Sequence, residues 1–386
     1  MTDNKDKKVL NVPALRFPEF TGEWKKERLD EIAELSKGVG ISKDQLSEED
    51  GEPCILYGEL YTKYKSEIIN EVVSKTNIDT TKLKRSKRND VIIPCSGETA
   101  IDIAVARCVP FDGILLGGDL NIIRLHNYDG AFMAYQLNGK RKTDIAKLAQ
   151  GVSVVHLYGE SLKEISTFNP SLSEQQKIVR LLSLIDERIS VQNKIIEDLK
   201  KLKSAIYQEM FGSLVAQTLE LGQVAEITKG KQVNGTELLE QGDYYVMNGG
   251  TTPSGWLNRY NTEANTISIS EGDNSCGYVQ YNISRYWSGG HCYSLRILHP
   301  QETLDLYLYH FLKWQEDNIM ALRIGSGLPN IQKKDLLHFP IILPTIDKQK
   351  SIISVLTAID AKIACEDFLT EYYTMQKDFL LRNLFI

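Results

Sequence analysis

The chain has 386 residues, of which 42% are hydrophobic and 25% charged, with 45 Lys+Arg against 51 Asp+Glu and a net charge of −6. That length exceeds one comfortable core, so two or more domains of ordinary globular composition are expected. The acidic balance argues against a protein whose main business is gripping phosphate, and no stretch approaches the roughly 20 apolar residues of a membrane span.

The start, "MTDNKDKKVL", has no apolar run after its lysines and so does not read as a signal peptide. A cytoplasmic chain is expected, with residues 1–15 as a flexible tail. Six cysteines, Cys54, Cys95, Cys108, Cys276, Cys292 and Cys365, are scattered without a CxxC pair. They read as reduced, packed thiols rather than a disulfide or metal framework.

A first domain is expected over residues 1–168. Segments such as "RLDEIAELSKG" (28–38), "GEPCILYG" (51–58) and "GGDLNIIRL" (117–125) read as short strands and turns, and "AFMAYQLNGKRKTDIAKLA" (131–149) as helical. The run "KLKRSKRND" (82–90) holds five positive residues and one acid, and "GKRKTD" (139–144) three and one. These runs nominate Lys82, Lys84, Arg85, Lys87, Arg88, Lys140, Arg141 and Lys142, with Lys63 and Lys65, as contacts to nucleic-acid phosphate. The plainer reading of each run is a solvated face.

Residues 169–212 read as a long helix. Ser173, with Gln176 three residues on, is placed to cap it. Ile178, Leu182, Ile185, Ile189, Ile196 and Leu199 follow a four-three spacing, with polar interruptions at Gln192 and Lys203.

A second domain is expected over 213–342. "ELGQVAEITKG" (220–230), "GDYYVMNG" (242–249) and "GGHCYSLRI" (289–297) match the three strand segments of the first domain, and "LDLYLYHFLKWQEDNIMALR" (304–323) is its helical piece. In place of basic runs it offers polar and aromatic loops, "NGGTTPSGWLNRYN" (248–261) and "YNISRYWSGG" (281–290). Asn248, Thr251, Thr252, Ser254, Asn258, Arg259, Tyr260 and Arg285 are the candidates there for reading base edges. Trp256 and Trp287 read equally well as core. Neither domain is basic overall: residues 1–168 hold 24 Lys+Arg against 26 Asp+Glu, and residues 212–343 hold 9 against 13.

The last segment, 343–386, repeats the first helix. "SLSEQQKIVRLLSLIDERI" (171–189) and "TIDKQKSIISVLTAIDAKI" (345–363) share six of nineteen positions at an offset of 174, and Pro344 matches Pro170. Chance would supply roughly one. Ile352, Leu356, Ile359, Ile363, Tyr373 and Leu380 continue the heptad spacing, and the polar interruptions recur at Glu366 and Lys377, with Asp347 in the capping place of Ser173. The expected fold is therefore α+β: two globular mixed domains separated by two long helices that pair as an antiparallel coiled coil, the whole a pseudo-two-fold internal repeat.

Catalytic signatures do not appear. There is no HExxH, P-loop or GxSxG, and the six histidines stand apart. The glycine-rich cofactor loop and proline-proline-aromatic motif expected of an adenosylmethionine-dependent DNA methyltransferase are missing too. No metal site and no catalytic residue is expected.

Several stretches together resemble the specificity subunit of type I restriction–modification systems. These are "VPALRFPEFTGEW" (12–24), the two repeated regions "NPSLSEQQKIVRLLSLID" (169–186) and "LPTIDKQKSIISVLTAID" (343–360), and "GSGLPNIQKKDL" (325–336). The first copy departs from the pattern where "QGVSVVHLYGESL" (150–162) lacks the Gly-Ser-Gly, which predicts a differently shaped loop there.

The resemblance implies a non-catalytic subunit that reads a bipartite, asymmetric site on double-stranded DNA, one half per domain. It implies docking of two methyltransferase subunits, which would bind S-adenosylmethionine themselves so that this chain needs no cofactor. Restriction/translocase subunits would join through them, without any membrane. A coiled-coil adaptor that binds only proteins is the competing reading, and an enzyme with an unrecognised site is a third.

Overall fold

In a computed structural model the structure describes residues 10–325 and 329–386. It divides into two compact units, one running through Asn193 and taking in Phe368–Ile386, the other comprising Lys194–Asp367. The division cuts both long helices, Leu172–Gly212 and Ile346–Asn383. Each unit therefore owns a globular domain together with part of each helix.

The first unit is built on an antiparallel sheet in the order Ala33–Lys37, Leu120–Leu125, Asp90–Pro94, Arg107–Val109. Side chains alternate across a strand, and here they divide two cores. Val91, Ile93 and Ile123 face the helix Gly130–Asn138, while Ile92 and Ile122 join Ile55, Leu60 and Leu116 on the other side. Both faces being covered explains why Asp90–Pro94 is buried along its whole length. The predicted helical piece 131–149 is two helices, Gly130–Asn138 and Lys142–Leu148, broken at Gly139. A Cβ at Gly139 would stand 3.2 Å from the Leu381 carbonyl, so a small residue is needed where the C-terminal helix passes.

The second unit repeats the plan. Ala225–Lys229, Cys292–Ile297, Thr266–Ser270 and Val279–Asn282 form its antiparallel sheet, covered by the helix Asp305–Trp314. In both units a two-stranded ribbon closes the domain, Lys25–Arg28 with Ser166–Asn169 and Gln217–Glu220 with Pro340–Leu343. The first strands of these ribbons are offset by 192 and the second by 174, so the first domain holds its extra residues between them.

The long helices run antiparallel where they pair. Asp186 meets Lys377 at 2.6 Å and Arg188 lies over the Tyr373 ring in the first unit, and Lys203 meets Asp360 in the second. The 174-residue offset carries the Asp186–Lys377 pair onto Asp360–Lys203. The polar interruptions at Lys203 and Lys377 thus have a cause: each lysine answers the aspartate of the other copy. Of the predicted seam, Ile178, Leu182, Ile185, Ile196, Ile352, Leu356 and Leu380 are buried, and Ile189, Leu199, Ile359, Ile363 and Tyr373 are half-buried.

The repeated Gln175 and Gln349 explain the Pro–Gln signature. Each side-chain amide donates to the proline carbonyl five residues earlier, Pro170 or Pro344, at 2.9 Å. Each side-chain carbonyl accepts an N–H at the start of its domain's helix, from Asp129 or Leu304, at 2.9 Å. One side chain thereby fixes the long helix to the domain it leaves.

Two expectations are corrected. The helices start at Leu172 and Ile346, with Ser171 and Thr345 just outside them, and Ser171 Oγ accepts from Glu174 N–H; Ser173 and Asp347 lie inside the first turn. Of the 1–15 stretch expected as a tail, residues 1–9 lie outside the described residues, while Leu15 N–H donates to the Asn383 carbonyl at 2.9 Å. The two closing segments share a bridge at their ends, Gln150 with His156 and Ile324 with Asn330, the same offset of 174 in both positions. Residues 326–328 of the Gly-Ser-Gly segment lie outside the described residues.

Candidate nucleic-acid interface

The basic run 82–90 is presented from a pinned turn. Ser86 is buried and its hydroxyl donates to the Phe111 carbonyl at 2.7 Å, and Asp90 is buried in a two-bond pair with Arg124 at 2.7 and 2.8 Å. Asn89 takes φ of 79°, in the left-handed region that favours asparagine among side-chain-bearing residues. Its amide bonds to the Tyr128 carbonyl and the Gly130 N–H, anchoring the turn to the following helix. Lys82, Lys87 and Arg88 point outward from this frame, and Lys84 is half-buried. Among the described residues these four form no ion pair.

Other first-domain candidates have structural partners. Arg85 holds Glu52 at 2.6 Å and the Gly113 carbonyl at 2.9 Å. Lys63 bonds Glu59 at 2.7 Å and Ser74 at 3.0 Å. Arg141 donates to the Ile386 carbonyl at 2.8 Å and lies over the Phe168 ring, so it fastens the C-terminal residue. Lys65 and Lys140 are exposed and Lys142 half-buried. Lys63, Lys65 and Lys142 line one cleft of about 600 Å³ with Arg107, Asp186 and Lys377.

That cleft opens on a buried charge cluster. Lys377 contacts Glu67 and Asp186, and Asp186 also accepts from Tyr135 Oη at 2.6 Å and Ser66 Oγ at 3.0 Å. Burial pulls the Lys377 ammonium down, but the two carboxylates outweigh it and hold it above the ordinary lysine range. Burial, with Asp186 beside it, raises the Tyr135 phenol. The cluster reads as a clasp on the C-terminal helix rather than as a reacting group.

In the second domain Thr251, Thr252, Ser254, Asn258, Arg259, Tyr260 and Arg285 are exposed and Asn248 is half-buried. The three-stranded sheet Trp256–Leu257, Tyr244–Met247, Trp287–Ser288 brings the two candidate loops together. Thr262 and Tyr286 pair through both backbone N–H groups, and the Asn261 amide exchanges bonds with Ser288 at 2.7 and 2.9 Å. On that frame Arg259 lies 5.1 Å over Trp287, and Arg285 lies 4.7 Å over Tyr260. Each loop thus supplies the arginine that rests on the other's ring. Trp287 is half-buried, packs against the small core of Val233, Val246 and Leu257, and donates to the Lys231 carbonyl at 2.9 Å, so it is both the edge of a core and a shelf; Trp256 is half-buried, edge-on to Tyr245. Sequence reading nominated the arginines but missed their partners Glu237 and Glu263, because ion pairing across loops leaves no local spacing.

Remaining features are structural. Cys54, Cys95, Cys108, Cys276 and Cys292 are buried; burial pushes the Cys54 thiol up to about 11 and that of Cys108 to about 12. His310 is buried, faces Tyr207 Oη at 3.0 Å, and burial lowers its pKa to about 4. No described helix is long and apolar enough to cross a membrane. Among the described residues no cluster of three His, Cys, Asp or Glu could hold a metal ion. On the second long helix, Phe368, Tyr372, Met375 and Phe379 recur every three or four residues and are all exposed.

Comparison with known proteins follows the repeat. The family model described as the type I restriction modification DNA specificity domain matches the chain twice, at residues 21–201 and 216–371. A Mycoplasma pneumoniae protein named as a type I specificity subunit is 35% identical over 166 residues, 43% of this chain. The matched stretch spans 44% of that relative's length. The specificity subunit of the type I restriction enzyme MjaVIII of Methanocaldococcus jannaschii is 22% identical over 406 aligned positions, covering 92% of this chain and 90% of that one. Among solved structures, the S subunit of a type I restriction-modification system from Mycoplasma genitalium has the same fold. Its TM-score is 0.68 at 20% identity, over 97% of this chain and 99% of that one.

Proposed function

This chain belongs to the family of type I restriction-modification DNA specificity domains, and on that footing we propose that it is the sequence-reading, non-catalytic subunit of such a complex. The observation that carries the reading is the doubling: the family model matches once in each half, and each half attaches its domain to the helix pair through the same Gln bridge. Two different readers on one spacer call for two different half-sites at fixed separation on double-stranded DNA. Two related helix faces call for two copies of one docking partner, here a methyltransferase that would bring its own S-adenosylmethionine and act on adenine. Restriction/translocase subunits would join through it, and the complex would work in the cytoplasm, where the chromosome lies. The exposed Phe368, Tyr372, Met375 and Phe379 favour a helix pair that takes a protein partner.

The phosphate grip would come from Lys65, Lys82, Lys84, Lys87, Arg88, Lys140 and Lys142 in the first domain. Base reading in the second would fall to the loops carrying Asn248, Thr251, Thr252, Ser254, Asn258, Arg259, Tyr260 and Arg285. The test is to map modified adenines genome-wide with and without this chain, then replace residues 20–168 by the corresponding domain of another family member. A split site whose one half changes while the other and the gap persist is the expected result. Two halves changing together, or no site at all, would refute independent reading.

A further inference from the structure

The basic turn of the first domain and the paired loops of the second hold their positive charge in opposite ways. In the first, Lys82, Lys84, Lys87 and Arg88 form no ion pair among the described residues. In the second, both loop arginines are already engaged: Arg259 holds Glu237 at 2.6 Å, and Arg285 holds Glu263 at 2.9 Å. Their side chains are 41% to 66% exposed, so these pairs add little to stability. Their geometry is nevertheless built. Each guanidinium lies over one ring from the opposite loop, and the rings are themselves held, Trp287 by the Lys231 carbonyl and Tyr260 against Tyr244 at 5.0 Å.

We infer that Glu237 and Glu263 are internal stand-ins for DNA, gating Arg259 and Arg285 so that the second domain engages them only on its proper target. The inference rests on the DNA-reading function proposed above. Each carboxylate takes its guanidinium through one hydrogen bond, Arg259 Nη2 to Glu237 Oε2 at 2.6 Å and Arg285 Nε to Glu263 Oε2 at 2.9 Å, whereas the O6 and N7 of guanine offer one guanidinium two acceptors. A DNA surface that offers one well-placed bidentate acceptor per arginine makes one bond more than the carboxylate and draws the arginine away. A surface that offers a single, poorly aligned phosphate oxygen gains nothing over the carboxylate, and the arginine stays where it is. Because each guanidinium already rests against a ring, the exchange calls for a swing of the side-chain end rather than a rearrangement of the loops. This accounts for a reader that is acidic overall, with 9 Lys+Arg against 13 Asp+Glu in residues 212–343. Its two loop arginines are withheld from non-target DNA, and the unpaired cations of the first domain's basic turn supply the unspecific grip. Glu237 and Glu263 are positioning residues in this scheme, and they touch no DNA.

The test uses the full chain assembled with its methyltransferase and two duplexes, one carrying the split target taken from the modification map and one with that sequence scrambled. Affinity is measured against salt. In wild-type complex the slope of log affinity on log salt for scrambled DNA reflects the free cations alone. Glu237→Gln with Glu263→Gln frees two arginines and should steepen that slope by about 0.9 for each phosphate they find. It should also tighten scrambled binding and shrink the ratio of target to scrambled affinity. Arg259→Ala and Arg285→Ala should each cost target affinity about 5- to 150-fold, in keeping with a lost bidentate base contact, and lower the same ratio. Circular dichroism and complex formation check the fold of every variant, and Arg→Lys controls separate charge from fork geometry. Unchanged slope and ratio in the Glu→Gln variant overturn the gate while leaving target reading intact. Loss of target and scrambled affinity by equal factors in the arginine variants also overturns it. A wild-type complex with no preference between the duplexes overturns both the gate and the DNA-reading function.

Discussion

Replacing Lys377 by methionine tests whether the repeated lysine is a clasp, because the equivalent change, Lys203→Met, sits at the same position of the other copy. In the first unit Lys377 is 11% exposed and both of its carboxylate partners, Glu67 and Asp186, are 8% exposed. Removing the ammonium leaves two carboxylates near one another out of water, with Tyr135 and Ser66 still bonded to Asp186 and Arg107 the remaining buried cation. Breaking a buried pair from one side costs about 3–5 kcal/mol, a large share of the roughly 5–15 kcal/mol that holds a domain folded. In the second unit Lys203 is 17% exposed but Asp360 is 37% exposed and can take up water, so Lys203→Met should cost only about 1 kcal/mol. At about 2–4 °C per kcal/mol the first change lowers the melting point by on the order of 10 °C and the second by a few degrees. Hydrogen exchange resolved along the second long helix should show residues 372–383 opening in Lys377→Met, and residues 350–362 barely altered in Lys203→Met. Adding Glu67→Gln to Lys377→Met should recover part of the loss. Equal effects of the two lysine changes, or a loss at Lys377 under about 1 kcal/mol, would refute the argument from burial.

Acid should weaken the second unit through His310. Its folded pKa is about 4 because of burial, against an ordinary value near 6.5, so between those pH values the unfolded chain takes a proton that the folded one refuses. Stability therefore falls as pH drops from about 6.5 to 4 and is unaffected by this group above 6.5; a pH series of melts should be visibly flatter in His310→Gln. Gln175→Ala and Gln349→Ala each strand a helix-start N–H and a proline carbonyl, and each should cost about 1–3 kcal/mol, read by denaturant midpoint. A bond made in the same way in both copies predicts losses of similar size. Inserting four residues after Lys194 lengthens the first helix by about 6 Å and breaks its seam register. Either assembly is lost or the gap between unchanged half-sites widens, and an unchanged gap with full modification activity would count against the helices as the spacer.

The long helices are not independent of the domains they join. Ile178, Leu182, Ile185, Leu380, Leu384 and Phe385 share one core with Trp24, Phe132 and Tyr135 of the first domain. Tyr207, Phe211, Ile352 and Leu356 lie in the main core of the second. Aspartate at Ile185 should therefore unsettle the first domain as well as the helix pair. At Ile359, which is half-buried, the same change should be milder.

The repeat, the two long helices and the α+β pattern were legible in the amino-acid order. Those features rest on periodicity, and a period of seven, or of two, is written along the chain wherever one face of an element must leave water. The pairing of Lys203 with Asp360 and of Lys377 with Asp186 was half legible: the positions recur, but as interruptions whose partners lie more than 150 residues away. The outward lysines at 82–88 could be named, yet only the turn held by Ser86, Asn89 and Asp90 decides that Lys82, Lys87 and Arg88 face solvent while Arg85 is tied to Glu52. Least legible was the arginine–ring–carboxylate ladder of the second domain. Residues 237, 259–263 and 285–287 share no spacing, and they meet only because Thr262 pairs with Tyr286 across a small sheet. A contact of that kind is set by the path of the folded backbone, where sequence distance carries no information.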